Sequence, residues 1–273
     1  MKAFLIWLLA AFAAPPAAAP PAQQQMSGAE AAAVHQAAER GALIYAYDQA
    51  AWHGTDDLAA KMPDYQTRVG GWIVDGPAEA PELVFFDKNE ADPQALFVAD
   101  FRDNRLVSSK VLGPADSRTL SPARKALIAA LRTAKRALVQ SGFKACKPEL
   151  FNSVVLPPAK AGDPILIYFL TPQTVTQSVP FGGHYLFEIG PDGKVVGQRR
   201  FTNTCLEMPL NPPDGAKSAG IGVTHLLDPV PTEIHVFTSL TTHLPVFVAT
   251  ASNKHLWKVD GSAIGIVTWD IAH

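Results

Sequence analysis

The chain contains no hydrophobic run of the roughly 20 residues that a membrane-spanning helix needs. Its longest such run, at residues 3–14, follows Lys2 and precedes an Ala/Pro-rich segment. This order is typical of a secretory signal peptide. We therefore predict a signal peptide at residues 1–22, cleaved after Ala13 or after Ala22, and a mature protein that is periplasmic or secreted.

Cysteine is scarce, with Cys146 and Cys205 as the only two in 273 residues. They lack the Cys-x-x-Cys spacing of a redox motif, and two cysteines far apart in the chain do not form a zinc site on their own. An even number of cysteines in an exported protein is typical of a disulfide. We predict a Cys146–Cys205 disulfide, which would leave neither sulfur free to act as a nucleophile.

Charged residues make up only 18% of the chain, and the formal net charge of −2 excludes a globally basic nucleic-acid binder. One local asymmetry exists, because residues 118–147 hold eight Lys or Arg and no acid, while residues 75–103 hold eight acids. We favour pairing of these two segments within the protein. The alternative is contact with an anionic surface through residues that project from the predicted helix: Lys125, Arg132 and Arg136.

Residues 23–145 are predicted to form an α+β unit of helix, four-strand meander and helix. Ser27 and Glu30 have the spacing of a capping box at the start of the first helix, and Gly41 has the character of a helix end. A second helix is expected up to Trp52, with a strand over residues 43–47 as the alternative, and a short third helix is expected over residues 55–61. Four short β-type runs separated by turns predict the meander. Pro122 opens the last helix of this unit.

Residues 146–273 are predicted to form a mostly antiparallel β unit, attached to the first by the disulfide. The turn at residues 190–193 joins two strands of a hairpin. Residues 232–240 alternate in polarity and predict another strand. The fold class is therefore α+β.

Sequence motifs of catalysis are missing. The chain has no Gly-x-Ser-x-Gly elbow, no His-Glu-x-x-His zinc motif and no phosphate-binding loop. A hydrolase remains an alternative, with a non-standard site, possibly metal-binding, built from His184, His225, His235 and nearby carboxylates such as Glu188. We otherwise expect no metal and no cofactor.

The best candidate for a binding surface lies on the predicted hairpin. Strand pairing would bring polar side chains together on one side, where they could recognise a carboxylate or an extended peptide. The alternative is an ordinary solvated strand face. The candidate binding residues are His184, Glu188, Gln198, Arg199, Arg200 and His235.

A second polar and aromatic stretch lies in the first half. Asp48, Asp56 and Asp57 surround Trp52 and His53. These residue types could line a sugar-binding cleft. We favour the alternative that they belong to a helix end and its caps.

Three stretches of the chain resemble a family of uncharacterised exported proteobacterial proteins: NSVVLPP at 152–158, the block from TPQT at 171–174 to Cys205, and THLLDPVPTEIH at 224–235. That family has no assigned activity, so the resemblance implies no catalytic residue. The element order of the first half is also similar to small helix-on-sheet modules of the PepSY or cystatin type.

Together, these observations predict a non-catalytic binding or interaction protein of the cell envelope. Its partner would be an envelope protein, a peptide or a polymer, and not a nucleic acid. The hydrolase described above is the alternative.

Overall fold

The computed structural model describes residues 25–149, 151–211 and 218–268. The predicted signal peptide at residues 1–22 lies outside these ranges. Among the described residues, no helix is both long and apolar enough to cross a bilayer. The helices are α1 (Gly28–Lys61), α2 (Tyr65–Arg68), α3 (Pro122–Gln140) and α4 (Glu233–Thr242).

Most of the strands belong to three four-stranded sheets. The first sheet is an antiparallel meander of β1 (Val69–Asp75), β2 (Glu82–Asp87), β3 (Ala95–Arg102) and β4 (Arg105–Val111). The second is antiparallel and has the order β5 (Asn152–Leu156), β6 (Ile165–Leu170), β8 (Tyr185–Ile189) and β9 (Val195–Arg200).

The third sheet has the order β11 (Ile221–His225), β12 (Val246–Thr250), β13 (Leu256–Asp260) and β14 (Ala263–Ile266). Its β11 and β12 run parallel, connected through α4, and the other pairs are antiparallel. A short ribbon joins β7 (Ser178–Pro180) to β10 (Glu207–Pro209). The α+β class, with helix, meander and helix before a mostly antiparallel β half, is confirmed.

The first two sheets form a layer between α1 and α3. Their edge strands β1 and β5 lie side by side. Neighbouring residues of β2 alternate between two cores: Phe85 packs in the core that contains Tyr47 of α1, and Phe86 packs in the core that contains Leu131 of α3. Strand residues from both halves of the chain contribute to each core. The two halves therefore share their hydrophobic interior.

The prediction of three separate helices in this part of the chain is wrong, because Gly28–Lys61 forms the single helix α1. The Ser27 capping box is present, but the helix then continues for 34 residues without a break at Gly41. A Cβ at Gly41 would collide with the Val236 side chain and would lie 2.8 Å from the backbone carbonyl of Glu233. The glycine therefore lets α4 approach α1 closely, and it does not end the helix.

The prediction of a strand at residues 232–240 is wrong, because Glu233–Thr242 forms helix α4. The helix lies between α1 and the third sheet, and it is buried on almost every side. Because such a helix has no polar stripe, its apolar residues do not recur with the 3.6-residue period of a helix, and a local alternation of polarity can indicate a strand instead. His235 occupies the N3 position, where its Nδ1 accepts the backbone N–H of Thr232 at 2.9 Å.

The basic segment pairs with the acidic meander. Arg124 donates two hydrogen bonds to Asp75, at 2.8 and 2.9 Å, and also contacts Glu82. Lys125 Nζ lies 2.5 Å from a carboxylate oxygen of Asp92. Arg132 donates to the backbone carbonyls of residues 89 and 90. Two of the three residues predicted for an anionic surface are thus engaged within the protein, while Arg136 is exposed and donates to neighbouring Thr133.

The disulfide is present. Cys146 and Cys205 are bonded, with their Cα atoms 5.5 Å apart, in the usual range for such a bridge. The bond connects the segment after α3 with the segment between β9 and β10. It therefore fixes the end of the first half against the β half.

Candidate functional site

A cavity of about 490 Å³ opens where α1, α2 and α4 meet the adjoining edges of the first two sheets. This volume lies in the range typical of small-molecule sites. Its walls combine aromatic side chains with carboxylates, amides and hydroxyls. The lining residues used below are Asp48, Trp52, Asp56, Tyr65, Trp72, Phe85, Asn152 and Phe237.

Helix α1 supplies one wall through residues spaced along a single face. Asp48, Trp52, Thr55 and Asp56 follow the i, i+4, i+7, i+8 pattern, which places them on one side of a helix. The opposite side of the same helix is apolar and packs on the first sheet. The continuity of α1 past Gly41 is what aligns this face with the cavity.

Aromatic side chains form the other walls. Trp52 is 58% exposed, although it lines a concave site, and its ring stacks on His53 with centroids 4.8 Å apart. Trp72 is half-buried and packs against Phe85 at 6.1 Å between centroids. Tyr65 from α2 is also half-buried. A ligand in the cavity would therefore meet flat π surfaces from α1, α2 and β1.

Asp48 is the titratable group that the cavity environment perturbs most. Its carboxyl is half-buried, and burial raises its pKa from 3.8 to about 6, against the smaller lowering effect of the Asn152 amide. Within the described ranges, no Lys, Arg or His forms an ion pair with Asp48 or Asp56. No basic residue from the described ranges lines the cavity either.

This arrangement can bind a small organic molecule through ring stacking and polar contacts. A carboxyl group that titrates near neutral pH can also bind a cation when ionised, or donate a hydrogen bond when protonated. Among the residues that the structure describes, no group of three His, Cys, Asp or Glu side chains is placed to hold a metal ion.

The predicted polar strip on the β8–β9 hairpin does not form as a single surface. Gln198 pairs with Phe187 and Arg200 pairs with Tyr185, so these two polar residues share one face. Glu188 is offset by one residue and belongs to the opposite face. Gln198 and Arg200 are exposed, while Glu188 is half-buried.

His184 is inaccessible to a partner on that surface. It is 1% exposed. Its Nδ1 accepts the Thr171 backbone N–H at 3.2 Å, and its Nε2 donates to the Pro180 carbonyl at 3.0 Å. Burial lowers its pKa to about 4, so the ring is neutral at physiological pH. The histidine holds two loop segments together.

Arg199 and His235 belong to a separate polar cluster. Arg199 contacts Asp228 at 2.6 Å, and His225 contacts the same carboxylate oxygen at 2.8 Å. The rings of His225 and His235 meet edge to face, with centroids 4.8 Å apart. Burial, and then the charge of His225, lower the pKa of His235 to about 3. Burial opposes ionisation of Asp228, but hydrogen bonds from His225 and Arg199 still lower its pKa.

Sequence reasoning named part of the cavity and missed the rest. The sequence allows two interpretations of the stretch that contains Asp48, Trp52 and Asp56, a sugar-binding cleft or a helix end with its caps, and it favours the helix end. That interpretation is wrong, since these residues lie within α1, which ends only at Lys61. The spacing of the three would have indicated one helix face. Trp72, Asn152 and Phe237 come from distant parts of the chain, and no local pattern marks them.

Comparisons with protein-family models, curated proteins and solved structures give no match for this chain. The resemblance to exported proteobacterial proteins therefore stays a prediction.

Proposed function

We propose that this chain is a non-catalytic binding protein that holds a small organic ligand in the cavity beside α1. The observation that carries the proposal is the position of Trp52, a large indole that is 58% exposed and yet lines a cavity of about 490 Å³. Folding normally removes such apolar surface from water. An aromatic side chain that stays accessible in a concave, largely aromatic cavity is typical of a small-molecule site.

The proposal places the protein in the cell envelope or outside the cell. The Cys146–Cys205 bond supports this location, because disulfides persist in oxidising compartments. The predicted signal peptide is consistent with it. The ligand would then be a molecule of the periplasm or the surroundings, or the end of an envelope polymer or peptide small enough to enter the cavity.

The test uses N-phenyl-1-naphthylamine, a neutral aromatic probe whose fluorescence rises when it leaves water. We expect saturable binding of one probe per chain. Trp52→Ala should weaken this binding at least tenfold, because the change removes the largest exposed wall of the cavity. Trp52→Phe should keep most of it.

The matched control is Leu226→Ala, which removes an apolar side chain that is 63% exposed and does not line the cavity. This variant should bind the probe like the unmodified protein. Absence of saturable binding, or equal binding by Trp52→Ala and the unmodified protein, would refute the proposed function.

A further inference from the structure

The charged side chains that line the cavity are all negative. Asp48 and Asp56 are acidic, and among the residues that the structure describes no lysine, arginine or histidine lines the cavity. The remaining polar lining groups are neutral amides and hydroxyls. Because nearby charges of one sign in a low-dielectric cleft focus the field, the cavity attracts cations and repels anions.

Asp48 has no counter-charge within the described part of the chain. Apart from the Asn152 amide beside it, no described residue forms a hydrogen bond or an ion pair with its carboxylate. Burying an ionised group without a partner is costly. A cation in the cavity would remove this cost, so the site favours binding of a positively charged ligand.

The aromatic walls specify what kind of cation fits. Trp52, Tyr65 and Trp72 present π surfaces, which attract ammonium groups within about 6 Å of a ring centroid. Hard metal ions require six or more oxygen ligands instead. A quaternary ammonium ion is weakly hydrated, and it can contact aromatic rings and a carboxylate at the same time.

We propose that the cavity selects organic ammonium ions, with Asp48 as the counter-charge and Trp52, Tyr65 and Trp72 as the stacking walls. This inference rests on the proposed binding function and narrows it to one class of ligand. The cavity volume of about 490 Å³ leaves room for an apolar or hydroxylated body beyond the ammonium group.

The experiment compares choline with 3,3-dimethyl-1-butanol, which has the same shape and no charge. Binding is measured by isothermal titration calorimetry at pH 8, with cellobiose as a neutral sugar. We expect choline to bind at least tenfold more tightly than either neutral compound. Asp48→Asn should weaken choline binding at least tenfold, and it should weaken binding of the neutral naphthylamine probe much less, because the probe carries no charge to pair with the carboxylate.

Asp57→Asn is the matched control, because it removes the same charge from the same helix outside the cavity. Asp57 pairs with Lys61 at 3.0 Å and contacts Ser109. This variant should bind choline normally. The charge-selective inference is overturned if choline and its neutral analogue bind equally, if cellobiose binds more tightly, or if Asp48→Asn keeps full choline affinity.

The two proposals fail separately. If the naphthylamine probe binds in a Trp52-dependent manner and choline does not bind, the cavity is a binding site and the ammonium inference is wrong. If neither the probe nor choline binds, the proposed function itself is wrong.

A pH series gives a further readout. Since burial raises the pKa of Asp48 to about 6, we expect choline binding to weaken about tenfold between pH 8 and pH 5. The other titratable groups nearby are Asp56 and Tyr65 in the cavity wall, Tyr45 on α1, and His53, whose ring stacks on Trp52. The pH effect should disappear in Asp48→Asn, and its persistence there would contradict the role of Asp48.

Discussion

Replacing Asp48 with asparagine should make the free protein more stable at neutral and alkaline pH. The side chain is half-buried, and the structure gives its carboxylate the Asn152 amide as a neighbour but no cation. Asparagine has nearly the same shape and no charge. The substitution therefore removes the cost of a poorly compensated ion and keeps the packing of α1.

The expected gain follows from the two pKa values. Burial raises the pKa from 3.8 to about 6 in the folded protein. At about 1.4 kcal/mol for each pH unit of difference, the ionised carboxylate costs the folded state about 3 kcal/mol. For a chain of this size, that amount corresponds to a rise in Tm of roughly 6–12 °C.

The size of the expected gain in stability depends on pH. Because the folded pKa lies above the unfolded value, the penalty is absent below about pH 4, grows as the pH rises, and is complete above about pH 6. Urea unfolding of both proteins at pH 8 and pH 4 measures this difference. We expect Asp48→Asn to be more stable at pH 8 and nearly equal to the unmodified protein at pH 4.

A loss of stability at pH 8, or a gain of the same size at both pH values, would refute the reasoning. Asp57→Asn again serves as the control, because its carboxylate is paired with Lys61. That variant should be no more stable than the unmodified protein at pH 8. A binding residue that lowers the stability of the free fold is a common outcome of selection for function.

Three further predictions concern the fold. Gly41→Ala should lower the free energy of unfolding by about 1–2 kcal/mol because the added methyl meets α4, whereas Gly28→Ala, which meets nothing within 4 Å, should be neutral or stabilising in the same urea assay. Replacing Cys146 and Cys205 with serine should cost about 4 kcal/mol at the observed separation of 59 residues, and equal urea midpoints for the two proteins would contradict this. The pKa of His184 is lowered to about 4, so the free energy of unfolding should fall by about 2 kcal/mol on acidification from pH 7 to pH 5, because the unfolded chain binds the proton that the buried ring does not. The variant His184→Gln should lack this part of the pH dependence.

Local sequence patterns predicted the elements whose stability is local. The Ser27 capping box, Pro122 at the start of α3 and the four-strand meander are all present. The disulfide followed from composition and the expected compartment. The pairing of basic and acidic segments followed from their opposite charge, although Arg124 and Lys125 lie 49 and 33 residues along the chain from the acids that they contact.

The errors arose where tertiary packing overrides local preference. Gly41 marks a helix end in most sequences, but here it accommodates a crossing helix. Helix α4 is buried on nearly all sides, so its sequence carries no helical period. Both errors concern the same contact between α1 and α4, which links residues far apart in the chain.

The candidate site was predictable only along α1. Asp48 and Trp52 are separated by one helical turn, so a continuous helix would have put them on one face. Trp72, Asn152 and Phe237 join them through long-range folding alone. A single sequence does not encode such neighbours in any local spacing.

The shared interior has a practical consequence for fragments of this protein. Tyr47 of the first half and Tyr168 of the second are both fully buried within one cluster. A truncated product ending at residue 145 would lack every partner from the β half and would present that surface to water. Such a fragment should aggregate when expressed alone, and the second half should do the same unless both pieces are produced together.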